Sequence, residues 1–272
     1  MSKFSVAVVT GGGGGIGKAF CQRLANDGAK VAVVDLDEAS AGATAAEIGG
    51  LALGCDVGDE AAVRKMIDDV EAELGPIDLF VNNAGIITGD GTGGAADARG
   101  LWNDTDDRWQ LGWQVNVMAH VYAARALVPR MVERGGGHFI TLASAAGLLS
   151  QIGDAMYSVT KHAAVAFAES LAITHGDEGI RVTLVCPQAV DTNLAREADA
   201  HAEESGNAFG AAGVDGILQP EDVANAAVDG AQDGRFLVLP HATVADYIQA
   251  KAADYDRWVG GMRKLRRNLR ES

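Results

Sequence analysis

The chain has 272 residues, 48% of them hydrophobic and only 6% aromatic, with 35 glycines. That is enough apolar content for a folded α/β domain and excludes wholesale disorder. Lys and Arg number 22 against 37 Asp and Glu, a net charge of −15, which repels phosphate backbones and anionic lipid and makes nucleic acid and membrane surfaces poor partners.

Short β-branched runs alternate with helical patterns throughout. Residues 5–9 form the first run, followed by glycines and a helix over 16–27. Runs at 31–34, 51–55, 79–82, 138–142, 182–186 and 236–239 follow, separated by helices over 38–48, 60–74, 105–133 and 157–174. Strands joined by helices give right-handed βαβ units and a parallel sheet covered on both faces. The expected fold is therefore a doubly wound, parallel, seven-stranded sheet in one domain spanning 1–272. Two Gly/Asp- or Ala-rich segments, 88–103 and 193–217, are too long for ordinary connections, and the second reads as a lid. Beyond 240, apolar Val244, Ile248, Tyr255, Trp258, Met262, Leu265 and Leu269 recur at helical spacing. They predict a C-terminal helix, broken at Gly260–Gly261, that packs, covers the site or contacts another subunit. Its basic end (Arg263, Lys264, Arg266, Arg267, Arg270) reads as a solvated terminus or an anion contact. The chain meets a strand at once and has no apolar run of about 18 residues, so a soluble, cytoplasmic protein is expected. Cys21, Cys55 and Cys186 show no paired spacing and the six histidines are scattered, so no metal site is expected.

Thr10-Gly11-Gly12-Gly13-Gly14-Gly15-Ile16-Gly17 lies between the first strand and its helix. Glycines there let backbone N–H groups approach a pyrophosphate, and the arrangement is that of a Rossmann-type turn. Asp35 closes the second strand, and its carboxylate can accept both ribose hydroxyls while repelling a 2′-phosphate. Leu36 and Asp37 follow, with no cation, so NAD is favoured over NADP. Asp56, before Val57, can accept from an adenine amino group or cap a turn. Tyr157 and Lys161 are four apart and share a helix face. An ammonium near a phenol lowers its pKa toward neutrality, where it can move protons. Ser144 lies just past the fifth strand, at the sheet edge where such folds bind ligands. Asn116 is a poor mid-helix residue and invites a polar task, such as holding a water in a proton path.

These pieces, with Asn82-Asn83-Ala84-Gly85, Pro187 and Thr192, resemble the short-chain dehydrogenase/reductase family, in family order over roughly 5–240. The resemblance implies Tyr157 as general acid–base and Lys161 as the group that lowers its pKa and holds the nicotinamide ribose. It implies Ser144 orienting the substrate oxygen and Asn116 supporting the relay. Cofactor contacts are implied at Gly11, Gly13, Gly14, Gly15, Ile16, Asp35, Leu36, Asp56, Val57, Asn83, Ala84, Gly85, Pro187, Val190 and Thr192. It further implies a homo-oligomer, a tetramer or dimer built on two long central helices. Gln188 departs from the glycine usual after the Pro, and predicts an amide contact to a polar substrate group or a narrower pocket. Expected pocket positions are Ile87, Ser144, Ala146, Gln151, Ile152, Met156, Gln188, Ala189 and Leu194. No Arg or Lys is expected among them, so a neutral, largely apolar secondary alcohol or ketone is the expected substrate. The competing readings are an NAD-binding regulator without turnover, and a lyase or epimerase on the same fold.

Overall fold

The computed structural model describes residues 4–87, 105–192 and 213–271. Seven parallel strands, β1 Val6–Thr10, β2 Lys30–Asp35, β3 Leu51–Gly54, β4 Leu79–Asn82, β5 Gly137–Leu142, β6 Ile180–Val185 and β7 Leu237–Val238, form one sheet in the order β3-β2-β1-β4-β5-β6-β7. The first two β-branched strands show why both faces must be covered. Val6 and Val8 of β1, with Ala32 and Val34 of β2, pack in one buried cluster. Ala7, Val9, Val31 and Val33 point the other way into a second. This alternation is the two-residue period of a pleated strand.

Helices α1 Gly15–Asn26 and α2 Glu38–Ile48 cover the second face, and α3 Glu60–Leu74 the first. The chain starts at β1 in the middle, grows outward to β3, then returns to β4 on the other side of β1. That reversal opens a crevice at the carboxyl ends of β1 and β4, where open α/β sheets take ligands.

The helix expected over 105–133 is continuous in direction but not uniform. It comprises α4 Asp106–Trp113, a π-helical turn Gln114–Met118, and α5 Ala119–Glu133. The wide turn falls on Asn116, and such bulges need a partner for the freed backbone groups. After α6 Ala146–Leu149 and α7 Ala155–His175 comes α8 Pro220–Gln232, a helix absent from the sequence reading. Its signals were present: Pro220 at its first position, Asp222 accepting from the Gln219 N–H at 3.2 Å, and buried Val223, Ala224, Ala227, Val228 and Ala231. Helices α9 Thr243–Ala253 and α10 Tyr255–Glu271 complete the chain. They part at Asp254, whose backbone is extended and whose carboxylate accepts from the Arg257 N–H at 2.9 Å. The break expected at Gly260–Gly261 is thus misplaced by one and a half turns, because a helix-capping Asp stops a helix and starts the next more decisively than two glycines. Among the described residues, no helix is long and apolar enough to cross a membrane.

Candidate active site

A cleft of about 1150 Å³ runs along the carboxyl edge of the sheet. At one end lie Gly11, Gly14, Gly15, Ile16, Asp35, Leu36, Asp56 and Val57; Asn83, Ala84 and Gly85 line it too. The glycine loop is set by contacts that exclude side chains. A Cβ on Gly17 would sit 1.9 Å from the Gly11 carbonyl oxygen, and Gly11 itself has φ +65°. Gly14, by contrast, has nothing within 4 Å of where a Cβ would be, and caps α1 without a side-chain bond. The first N–H groups of α1 therefore face the cleft with the positive end of the helix dipole. Gly13 does not line the cleft. Its N–H donates to Asp35 Oδ2 at 2.9 Å, and a Cβ there would strike Ser40. Gly13 thus holds the carboxylate rather than the cleft wall. Asp35 Oδ1 accepts from the Asp37 N–H at 3.1 Å, which fixes the carboxylate at the cleft with lone pairs to spare. Asp56 both lines the cleft and accepts from the Gly58 N–H at 2.8 Å, so the turn-forming alternative is realised without removing it from the cleft. Asn83 gives its amide to the Thr10 and Gly11 carbonyls at 2.8 and 3.2 Å, bracing the loop from β4.

Midway, Ser144, Tyr157 and Lys161 converge. Asp154 caps α7 by accepting from the Tyr157 N–H at 2.7 Å, and so sets which way the helix presents Tyr157. The Ser144 side chain stands next to the Tyr157 phenol and acts to lower its pKa. Ser144 Oγ accepts from the Ala146 N–H at 3.1 Å and donates to the Pro187 carbonyl at 3.4 Å. Lys161 Nζ lies 5.5 Å from the Tyr157 ring centroid and donates to the Leu142 carbonyl at 3.2 Å. Burial pushes the Tyr157 phenol up to about 12, against the opposing influence of Ser144, and pushes Lys161 down to about 8. Desolvation thus outweighs the mutual help expected of the pair: the ammonium sits over the ring, not at the hydroxyl. Burial also takes His120, whose two ring nitrogens have no hydrogen-bond partner, down to about 3.

Asn116 is fully buried. Its Oδ1 accepts from the Ile86 N–H at 2.8 Å, and its amide donates to the Ile86 carbonyl at 2.9 Å and to Thr160 Oγ1 at 3.1 Å. The side chain ties the π-turn to the segment beyond β4 and to α7. A methyl at Gly85 would lie 3.2 Å from Lys161 Nζ and 3.3 Å from Asn116 Oδ1, so this glycine leaves room for both.

The other end of the cleft is lined by Ile87, Ala146, Gln151, Ile152, Gln188 and Ala189, with Pro187, Val190 and Thr192 bordering it. Met156 is not part of it. It is fully buried with its sulfur against Gly112, because its place on α7 faces α4. Leu194 and most of the expected lid lie outside the described residues, but Val214 and Asp215 from that segment line the cleft. Of the readings open for the C-terminal helix, the cover over the site is the one its place on the cleft agrees with, while Arg257 and His241 were missed. Helices α9 and α10 supply a wall that includes Tyr247, Trp258, Met262 and Leu265. Arg257 lines the cleft from the same wall, contrary to the expectation of no cation there. His241, buried, accepts at Nδ1 from the Gln188 N–H at 3.1 Å and donates from Nε2 to the Gly216 carbonyl at 3.3 Å. It joins the turn after β6 to the end of the expected lid segment, a link that no local spacing announces.

The short chain dehydrogenase family model matches residues 5–203. A 1-deoxy-11-beta-hydroxypentalenate dehydrogenase of Streptomyces exfoliatus is 34% identical over 242 residues, covering 87% of this chain and 82% of its own. A D-threitol dehydrogenase of Mycolicibacterium smegmatis is 34% identical over 198 residues, 71% of this chain and 73% of its own. Among solved structures, a short chain dehydrogenase/reductase from Burkholderia phymatum in complex with NAD superposes with a TM-score of 0.79. It is 28% identical and covers 93% of this chain and 94% of its own. Fold, glycine turn, cleft and sequence similarity agree: the chain belongs to the short chain dehydrogenase family.

Proposed function

We propose that the protein is an NAD-dependent oxidoreductase that interconverts a secondary alcohol and a ketone. One observation carries the reading: Tyr157, next to Ser144 and overlain by Lys161, lies on the same cleft as the glycine turn and Asp35. The residues fit the dinucleotide. The open backbone at Gly14 and the α1 N-terminus suit a pyrophosphate. The Asp35 carboxylate suits ribose hydroxyls and disfavours an added phosphate, and Ala84, Val190 and Thr192 border the path between the two ends. The bound cofactor supplies hydride exchange at carbon. The chain supplies proton transfer and position. Ser144 holds the substrate oxygen against the Tyr157 hydroxyl. In reduction the phenol, protonated at neutral pH, gives its proton to that oxygen; in oxidation the phenolate takes it back. Lys161 holds positive charge beside the phenol and the nicotinamide ribose. Asn116 keeps the floor beneath Lys161 rigid through Ile86 and Thr160.

The relatives' names include a hydroxypentalenate, threitol and, in Mus musculus, an epidermal retinol dehydrogenase 31% identical over 198 residues, which supports a hydroxyl-bearing small molecule. The apolar lining favours a ring or chain of low polarity. Gln188 and Gln151 are polar exceptions in it, and the Gln188 amide, whose oxygen is buried without a partner, would have to turn toward the cleft to meet a polar substrate group. Three buried, unpaired cysteines support a reducing compartment such as the cytoplasm. Exposed Leu111 and Trp113 on α4 and Val159 and Ile173 on α7 support assembly of copies through these helices, as a tetramer or a dimer. The deciding experiment follows NADH formation over a panel of cyclic and acyclic secondary alcohols, with calorimetric titration of NAD and NADP alongside. NAD-specific binding with turnover is expected. Binding without turnover of any alcohol or ketone would favour the regulator reading, and preference for NADP would overturn the role given to Asp35.

A further inference from the structure

The wall that closes the substrate end of the cleft is apolar at Tyr247, Ala250, Trp258, Met262 and Leu265. Arg257 stands on this stripe, one helical turn before Gly261 and two before Leu265, all three lining the cleft. Arg257 is exposed, so its guanidinium is open to an anion that enters the cleft. Among the described residues Arg257 has no ion pair: its N–H is bonded to Asp254, and its guanidinium makes no salt bridge. The carboxylates on this wall have hydrogen-bond partners of their own. Asp254 accepts from the Arg257 N–H and Asp215 accepts from the Tyr247 hydroxyl at 3.1 Å. The other cation lining the cleft, Lys161, is buried and bonded to the Leu142 carbonyl.

The wall belongs to the Ser144 end of the cleft. Trp258, Tyr247 and Ile248 pack against a small apolar cluster of Ala145, Leu149 and Val244, and Ala145 follows Ser144 in the chain. The glycine turn and Asp35 are at the far end. A chain of net charge −15 places Arg263, Lys264, Arg266 and Arg267 on the helix that carries Arg257, while Asp154, Asp215 and Asp254 line this end of the cleft beside it.

We infer that the substrate carries a carboxylate on an apolar body, with the carboxylate meeting Arg257 while the reacting alcohol or ketone lies at Ser144 and Tyr157. A single planar guanidinium matches a carboxylate's two oxygens, and the apolar stripe around it takes the hydrocarbon between the two polar ends. The inference rests on the alcohol dehydrogenase reading for the position of the second end, but the carboxylate contact can be measured without turnover.

Two measurements test it. Calorimetry in the presence of NADH compares adamantanecarboxylate with adamantanecarboxamide, in wild type and R257Q. Wild type should bind the carboxylate about tenfold more tightly than the amide, the size expected of a partly exposed charge-assisted pair, and R257Q should erase the difference while leaving the amide and NADH unchanged. In parallel, cyclic hydroxy acids of increasing ring size are compared with their methyl esters as substrates. The acid should be preferred in kcat/KM for at least one ring size, and R257Q should remove that preference while leaving the ester rate alone. Equal binding of carboxylate and amide by wild type, a preference that survives R257Q, or a loss of NADH affinity in R257Q (which would put Arg257 on the cofactor) overturns the inference. Turnover of neutral alcohols with no acid preference sinks the carboxylate site alone. Carboxylate binding with no turnover of any alcohol sinks the dehydrogenase reading and leaves the site standing.

Discussion

The two ends of the cleft are built on different principles. At the adenosine end every group is set by neighbours close in the chain or one strand away. The glycine turn is packed against its own carbonyls, Asp35 is gripped by Gly13 and Asp37, and Asn83 reaches back from β4. At the substrate end the wall comes from residues about a hundred positions away from Ser144, and it is held by one small apolar cluster and a few side-chain bonds. A common cofactor asks for a fixed backbone; a particular substrate asks for side chains that can differ without disturbing that backbone.

If that division is real, substitutions should separate cofactor binding from substrate binding, except where the two ends meet. The largest effect is expected there. Tyr157→Phe should cut kcat by about a hundredfold to ten thousandfold with the NAD dissociation constant unchanged; residual activity above a tenth of wild type would remove Tyr157 from proton transfer. Because burial holds the phenol near 12, the oxidation rate should rise with pH as phenolate forms, and reduction should fall only at high pH.

Lys161 belongs to both ends and should break the division. Lys161→Met should lower kcat by at least about a hundredfold and weaken NAD as well. Its effect on stability has the opposite sign. The folded chain holds Lys161 near 8 against 10.5, so folding opposes its ammonium. The penalty is full below pH 8 and fades as pH rises toward 10.5, a difference of order 3 kcal/mol. The lost bond to the Leu142 carbonyl offsets part of this. The variant should therefore melt no lower than wild type at pH 7, with the comparison turning against it by pH 10; a lower melting temperature at pH 7 would show that the ammonium is stabilising where it lies.

Within the adenosine end, Asp35→Ser should weaken NAD by about tenfold, roughly the value of a charge-assisted hydrogen bond, relax the bias against NADP, and leave the KM for alcohol alone. The smallest effect belongs to the substrate end. His241→Phe keeps the ring's bulk but removes the acceptor for Gln188 and the donor to Gly216. A rise of several fold in alcohol KM, about one buried hydrogen bond, is expected with NAD affinity unchanged. An equal fall in NAD affinity would mean that the turn after β6 cannot be adjusted from the substrate side alone.

The same division decides what could be read from the sequence. The glycine turn, Asp35, Ser144, Tyr157 and Lys161 were legible because each sits at a fixed offset from a strand end or a helix turn. Asn116 was legible as a polar anomaly in a helix, but its π-turn and its bonds to Ile86 and Thr160 were not, since they depend on which segments pack beside the helix. Met156 was misassigned for a similar reason: one residue before Tyr157, it looks toward α4 instead of the cleft. Helix α8 was overlooked although Pro220 and its apolar spacing marked it.

What the sequence alone determined was periodicity and local chemistry: alternating strands and helices, a glycine turn between the first strand and its helix, an acid closing the second strand, and a phenol and an amine on one helical face. Only the tertiary structure decided what met across long loops. It put Arg257 and Trp258 on the cleft, tied His241 to Gln188, and set the Lys161 ammonium over the Tyr157 ring. Hydrogen bonds and hydrophobic spacing within one element are fixed by a few residues of chain, whereas a contact between distant segments exists only after the whole sheet has folded and its helices have packed.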